Sequence, residues 1–297
     1  MSALAGLVAI VVVLLLAINL YVQSPGTQAR IQEELSKALK LPLQITNSSF
    51  TPWSDLRING ITIPAAQAEH DKFLEAASFS ARFRFWPLLR RKLVIYQMRV
   101  ESPRIAWVQN EEGKWVLPAL PKAPANAAAK KGEKSKNAKA KGIEVTLDGF
   151  KVHGGSVELL DKLQKRVALL SEIEMNYSVI TADRLEGTLI VGRLNYADLL
   201  FFENVRSPFT YADGELKLPA LQALVAGGTL TGSFTLDSEK KNSPFVTALR
   251  FEKVDAARLS TEAGWMPGQA AGVLAGALDL HGSSRQVERA EGTGELS

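Results

Sequence analysis

The chain has 297 residues, of which 46% are hydrophobic, and this is enough material for one large domain or two smaller ones. It contains no cysteine, which excludes disulfides, thiolate metal sites and cysteine nucleophiles. The net charge of +4 comes from seven lysines between Lys122 and Lys141, opposed there only by Glu133. Because the rest of the chain is slightly acidic, composition does not indicate a nucleic-acid surface.

The chain begins with an apolar run over residues 3–22, ALAGLVAIVVVLLLAINLYV, in which Asn19 is the one polar side chain and no residue is charged. As a helix this run would be ~30 Å long, enough to cross the hydrocarbon layer of a membrane. A cleaved signal peptide is the alternative, but it would need basic residues before the run, and Pro25 follows the one passable cleavage site. The sequence favours an uncleaved transmembrane anchor over residues 1–23.

Residues 27–40 predict a short amphipathic helix leading out of the membrane, because Ile31, Leu35 and Leu39 recur at helical spacing. The basic residues in this segment, taken alone, would place the body of the protein in the cytoplasm. A long domain can be translocated against so weak a bias, so the residues alone leave the side of the membrane open.

After residue 43 the hydrophobic period changes from 3.6 to 2, which predicts strands. Gly60 shifts the phase of one run, as a bulge would. Phe79 opens the clearest half-buried strand of the first half, and a later run over residues 93–108 is interrupted at Pro103, which suits a strand edge or a kink. The apolar residues that share one face of the clearest strand are Phe79, Ala81, Phe83 and Phe85.

Residues 121–142, PKAPANAAAKKGEKSKNAKAKG, contain no apolar side chain larger than alanine. Such a segment buries too little surface to offset the entropy of ordering it, so it is predicted to be a solvated linker. Its lysines could also lie on anionic lipid headgroups, at ~1 kcal/mol each.

Beyond the linker the alternation of period 2 resumes and continues almost to the end of the chain. Residues 197–204 and 255–263 are predicted to be short helices, the second with Asp255 as its N-cap. Roughly twelve to fourteen one-sided strands are expected in all. A compact sandwich and an elongated curled sheet with an apolar inner trough would both hide this much apolar surface.

Three segments resemble the AsmA-like family in their order along the chain. The first, residues 93–120, contains a strand, a Pro-hydrophobic strand and a Gly-x-Trp turn; residues 145–161 and 214–237 carry strands around Gly-Gly turns. The resemblance implies a mainly β fold: an N-terminal transmembrane helix, then an elongated, curled antiparallel β-sheet with an apolar inner groove and a few short helices. We expect two β regions, residues 24–120 and 143–297, separated by the linker, and a chain that continues past Ser297.

The resemblance also implies a bacterial inner-membrane protein, single-pass, with its bulk in the periplasm and a role in outer-membrane biogenesis. Long relatives of this family carry phospholipid along a trough, so the expected partners are phospholipid or another acyl-chain lipid, the inner membrane and envelope proteins, with no nucleic acid. The alternative is a non-enzymatic scaffold or assembly factor for envelope proteins. The candidate lipid-contact residues are Val145, Leu147, Ile173, Met175, Tyr177, Val179, Leu230, Phe234, Leu236, Phe245, Leu249 and Phe251.

The sequence contains no Walker loop, no dinucleotide-binding glycine motif, no His-Glu-x-x-His and no Gly-x-Ser-x-Gly. Glu158 and Asp161 could form a carboxylate pair, but their neighbours indicate a solvent-facing strand end. His70, His153 and His281 are far apart in turn-like or strand-end contexts, which does not indicate a shared metal site. We therefore expect a protein that is not an enzyme and needs no cofactor or metal.

Overall fold

The computed structural model describes residue 26 and residues 42–50, 55–65, 72–84, 92–111, 144–181, 184–240, 242–265, 270–283 and 286–297. Fifteen strands and the helix Ala256–Glu262 make up most of the described residues, which confirms the prediction of a mainly β fold. The helices and strands fall into two compact units, residues 1–98 with 117–148 and residues 99–116 with 149–297.

The predicted anchor, the helix over residues 27–40 and the lysine-rich linker lie outside the described residues. None of the helical segments that the structure describes is long and apolar enough to span a bilayer.

The first unit contains β1 to β4 in sequential order, with β1 antiparallel to β2 and β2 antiparallel to β3. Gly60 in β2 has a φ of 64°, and Ile58 and Ile63, which have opposite parity, are both buried. However, β2 keeps its register with β1 and β3 across Gly60, so Ile58 and Ile63 lie on opposite faces and the predicted bulge at Gly60 was wrong. The strands of this unit are β1 (Gln44–Phe50), β2 (Leu56–Pro64), β3 (Lys72–Arg84), β4 (Lys92–Glu101), whose last residues belong to the second unit, and β6 (Glu144–Leu147).

Two pairs of strands are parallel, and each joins chain segments on opposite sides of the predicted linker. In the first unit β6 pairs with β4, with Lys92 opposite Glu144. In the second unit β5 (Arg104–Val108) pairs with β7 (Gly149–Leu160), with Arg104 opposite Ser156. Parallel strands need a long connection, whereas neighbouring antiparallel strands need only a tight turn. The long segment between residues 111 and 144 supplies that connection.

The second unit contains an antiparallel meander in which β7 to β15 each pair with the next strand in sequence. This confirms the predicted antiparallel pairing. The elements are β5 (Arg104–Val108), β7 (Gly149–Leu160), β8 (Arg166–Thr181), β9 (Arg184–Tyr196), β10 (Leu200–Ala212), β11 (Glu215–Val225), β12 (Gly228–Asp237), β13 (Pro244–Asp255), α1 (Ala256–Glu262), β14 (Val273–Ser283) and β15 (Gln286–Leu296).

Helix α1 confirms one helix prediction, and β10 shows that the other was wrong. Asp255 caps α1 by accepting hydrogen bonds from the backbone N–H groups of Ala257, at 2.8 Å, and Arg258, at 3.1 Å. The segment 197–204 is instead a tight turn followed by the start of β10. Ala197 and Asp198 both have a φ of 54°, a left-handed backbone that closes a turn between twisted antiparallel strands and cannot begin a right-handed helix.

Candidate functional site

The most extensive feature of the second unit is an apolar face formed by alternate residues of its strands. Directly opposed residues of an antiparallel pair lie on the same side of the sheet. Following the pairing from β8 to β14 therefore traces a row across seven strands. The residues of this row are Val179, Leu185, Tyr211, Leu216, Leu236, Phe245 and Gly282.

A second row shows how glycine and aromatic residues cooperate on this face. Gly187 in β9 is opposed by Tyr177 on one side and by Phe209 on the other. Because Gly187 has no side chain, the rings of Tyr177 and Phe209 meet edge to face above it, with centroids 6.3 Å apart. Phe150 continues the row, stacked on Tyr177 at 5.4 Å. Partial burial raises the pKa of the Tyr177 hydroxyl.

The same arrangement recurs between β13 and β14. Phe245 is opposed by Gly282, and Phe251 by Gly276. A Cβ atom added to Gly276 would lie 2.7 Å from Cζ of Phe251, and one added to Gly282 would lie 3.1 Å from the Phe245 ring. The phenylalanine rings thus cover the glycine backbone of the neighbouring strand. Phe245 also stacks on Phe234 at 5.9 Å, so aromatic contacts extend across β12, β13 and β14.

Ten of the twelve candidate lipid-contact residues lie on this one apolar face of the second unit. Phe245 is buried, and the other nine are only half-buried. Leu230 and Phe251 also pack against a buried cluster of Val225, Ala226 and Val254, so these two residues support the fold as well. Val145 and Leu147 lie on β6 in the first unit, where Leu147 is half-buried.

The face also contains apolar residues that were not singled out from the sequence. They belong mainly to β9, β10, β11 and β14, and they share the period of 2 that identified the others. Each is placed on the face by the pairing register. These residues are Leu185, Leu189, Val191, Val205, Phe209, Tyr211, Leu216, Leu218, Leu278 and Leu280.

Half-burial of this face follows from how little covers it. Within the described part of the second unit, α1 is the one helix, and it packs mainly against β10, β13 and the cluster of Val225, Ala226 and Val254. In a sealed two-layer core, side chains of this kind would be fully buried by an opposing layer. The face therefore keeps apolar surface within reach of a guest molecule.

The opposite face of β7 and β8 holds a polar cleft of about 440 Å³. His153 Nδ1 lies 2.7 Å from Oε1 of Glu174, which also accepts a hydrogen bond from the Gly154 backbone N–H at 3.0 Å. The hydrogen bond to Glu174 and its negative charge raise the pKa of His153. Arg99 and Lys151 also line the cleft, but Glu174 lines it too, and its carboxylate disfavours an anionic ligand.

The described residues contain no cluster of three or more histidine or acidic side chains able to hold a metal ion. Of the histidines singled out from the sequence, His153 pairs with Glu174, His281 is exposed on β14, and His70 lies outside the described residues. Glu158 pairs with Arg166 at 2.8 Å, while Asp161 accepts backbone hydrogen bonds in the turn after β7. These two carboxylates thus have structural partners and do not form a pair.

The strand meander and its half-buried apolar face define a mainly β protein suited to contact with apolar molecules. The sequence pattern of the AsmA family matches residues 1–193. This match covers well over half of the chain, so the chain belongs to the AsmA family, which is associated with the bacterial envelope. No curated protein matches the chain.

Proposed function

We propose that this protein is a membrane-anchored, non-enzymatic envelope protein that holds the acyl chains of phospholipid against the apolar face of β7 to β14. In this proposal residues 1–23 anchor it in the bacterial inner membrane and its bulk lies in the periplasm, where lipid transfer supports outer-membrane biogenesis. The observation that carries the proposal is the row of opposed apolar residues across seven strands, most of them only half-buried.

The energetic reason is the cost of exposing an acyl chain to water. At ~0.8 kcal/mol per CH₂, a sixteen-carbon chain costs on the order of 12 kcal/mol. An apolar face removes this cost without recognising a headgroup and without any catalytic residue. The nine strands β7 to β15, spaced ~4.8 Å apart, extend ~40 Å, compared with ~15 Å for one leaflet of a ~30 Å hydrocarbon core. The face is therefore large enough to accept a whole acyl chain.

Native mass spectrometry of the purified full chain tests the proposal, with bound phospholipid as the expected result. Met175→Glu and Phe234→Glu place a carboxylate on the apolar face and should each reduce bound lipid about tenfold or more, because a carboxylate removed from water costs several kcal/mol. Val246→Glu is the matched control, since Val246 is 60% exposed and its neighbour Phe245, not Val246, faces the apolar side.

Circular dichroism must show that all three variants keep their strand content. If the wild-type chain carries no phospholipid, or if Val246→Glu loses as much lipid as the two face variants, the proposal is wrong. In that case a scaffold for envelope proteins would be the better explanation.

A further inference from the structure

The second unit has a row of exposed apolar side chains at one end of its strands, the end where β7, β9, β11 and β13 finish. We call this end the apolar rim. Leu163 lies in the turn after β7 and is 79% exposed, and Leu199 lies in the turn after β9 and is 49% exposed. Trp265 follows α1, and Val273 begins β14; they are 59% and 67% exposed. Successive turns are two strands apart, so this row extends ~30 Å.

The turns of the apolar rim hold their leucines outward by specific hydrogen bonds. Asp161 Oδ1 accepts from the backbone N–H groups of Leu163 and Lys165, each at 2.8 Å. In the next turn, Asp198 accepts from the Asn195 side chain at 2.6 Å, and the Leu199 N–H donates to the Tyr196 carbonyl at 3.0 Å. Exposure of these leucines is therefore built into ordered turns.

Trp265 is exposed at a position where an apolar residue usually packs back onto its helix. Gly264 ends α1 with a φ of 79°, and the Trp265 N–H donates to the Ser260 carbonyl at 2.9 Å. This geometry fixes the backbone of Trp265, yet most of its side chain faces solvent. Tryptophan in such a position is characteristic of residues that sit at a membrane–water interface.

Exposed lysines lie beside the tips of the apolar rim. Its carboxylates are engaged: Asp161 and Asp198 in turns, Asp255 at the N-cap of α1, and Glu203 and Glu262 with Arg258. By contrast, Lys162, Lys165 and Lys253 are exposed and form no ion pair with the part of the chain that the structure describes. The rim thus combines exposed apolar tips with exposed lysines that form no ion pair in the described part of the chain.

We propose that the apolar rim docks onto the surface of a bilayer that contains anionic phospholipid. Leu163, Leu199 and Trp265 enter the boundary between headgroups and acyl chains, while Lys162 and Lys165 lie against the phosphates. The rim lies at the end of the same strands whose residues form the apolar face, so docking would bring that face to the lipid. This inference deepens the proposed function. It rests on that function only for the purpose of docking, which is to bring the apolar face to its lipid.

The absence of cysteine allows single-site labelling of the full chain. Leu199→Cys and Ile180→Cys each receive an environment-sensitive fluorophore; Ile180 is the matched control because it is 53% exposed but lies near the opposite end of β8. The labelled chain, held in nanodiscs, is mixed with separate vesicles of brominated phosphatidylglycerol or brominated phosphatidylcholine. We expect quenching of the label at position 199 by phosphatidylglycerol vesicles and much weaker quenching at position 180.

Removal of the two lysines tests the charge argument. Lys162→Gln with Lys165→Gln should weaken vesicle association about twenty-fivefold, because each lysine near an anionic surface contributes about fivefold. Equal quenching at both positions, quenching at neither, or equal quenching by both lipids would overturn the proposal. Native mass spectrometry of the same samples separates the two ideas: a chain that carries lipid without rim quenching refutes only the rim, and rim quenching without bound lipid refutes only the lipid-handling function.

Discussion

His153 and Glu174 form the contact of the polar cleft for which the structure gives the clearest pH dependence. Glu174 raises the pKa of His153 above its ordinary value of 6.5. Since the folded-state pKa is higher than the unfolded one, the contact stabilises the fold fully below about pH 6.5. This stabilisation is lost as the pH rises through the folded-state pKa.

We therefore predict that His153→Gln flattens the change in stability between about pH 6 and about pH 8. Urea denaturation of the full chain at both ends of this range measures the effect. His281→Gln is the control, because His281 is exposed on β14 and forms no ion pair within the described residues. An unchanged pH dependence in His153→Gln would show that Glu174 only supports the Gly154 backbone.

Single residues were predicted well where a local rule applies. Asp255 caps α1 because a carboxylate before a helix accepts its free N–H groups. Gly60 adopts a left-handed φ, but the bulge predicted there was wrong, because β2 keeps its register with both neighbouring strands. The partner of His153 could not be predicted, because Glu174 lies on another strand. The register that brings the two residues together is not determined by the residues around either of them.

At the scale of strands, glycines opposite aromatic residues determine how β8, β9 and β10 fit together. A Cβ atom at Gly187 would lie 2.6 Å from Cβ and 2.8 Å from Cα of Tyr177, and a backbone atom cannot move away without disturbing the pairing. Glycine is therefore required at position 187 for two reasons: the Tyr177 backbone lies too close for a Cβ atom, and the rings of Tyr177 and Phe209 meet above it.

We predict that Gly187→Ala destabilises the second unit by about 1–3 kcal/mol, the range for overpacking a well-fitted site. The thermal midpoint should fall, and the near-ultraviolet circular dichroism of the tyrosine should change. Thr188→Ala is the control, because Thr188 is the next residue in β9 and is exposed. A midpoint as high as that of the wild type would mean that the strands separate readily at this point.

Strands were predicted more reliably than turns and helices. Alternation of apolar residues predicted β3, β8, β12 and β13, because the buried side of a strand recurs at every second residue. Residues 197–204 were wrongly predicted to be a helix, since the two left-handed residues at 197 and 198 are Ala and Asp, and not the Asn-Gly or Gly-Gly pairs that reveal a tight turn in sequence.

At the scale of the molecule, periodicity predicted a mainly β chain with antiparallel strands, but not the parallel pairs of β4 with β6 and of β5 with β7. These pairs join segments that are far apart in sequence, and no local pattern specifies them. The apolar face of the second unit was predicted from three strands, β8, β12 and β13, and the register extends it to the strands between and beside them. Binding of a lipid to this face depends on all of its strands together.

A ligand that binds only the folded chain raises its stability by an amount set by concentration and affinity. If phospholipid covers the apolar face, the chain stripped of lipid should unfold at a lower temperature than the lipid-loaded chain. At a lipid concentration one hundred times the Kd, the difference is about 2.7 kcal/mol. Scanning calorimetry of both forms in the same detergent measures it.

The variant Phe234→Glu tests whether this shift comes from the apolar face. Its carboxylate lies in the centre of the row formed by Leu218, Phe234, Thr247 and Leu280, so added lipid should no longer raise its unfolding temperature. Val246→Glu, on the other face, should keep the full increase. An equal increase in all three proteins would assign the stabilisation to lipid bound elsewhere, for instance around the anchor, and would remove the face as the place where lipid is held.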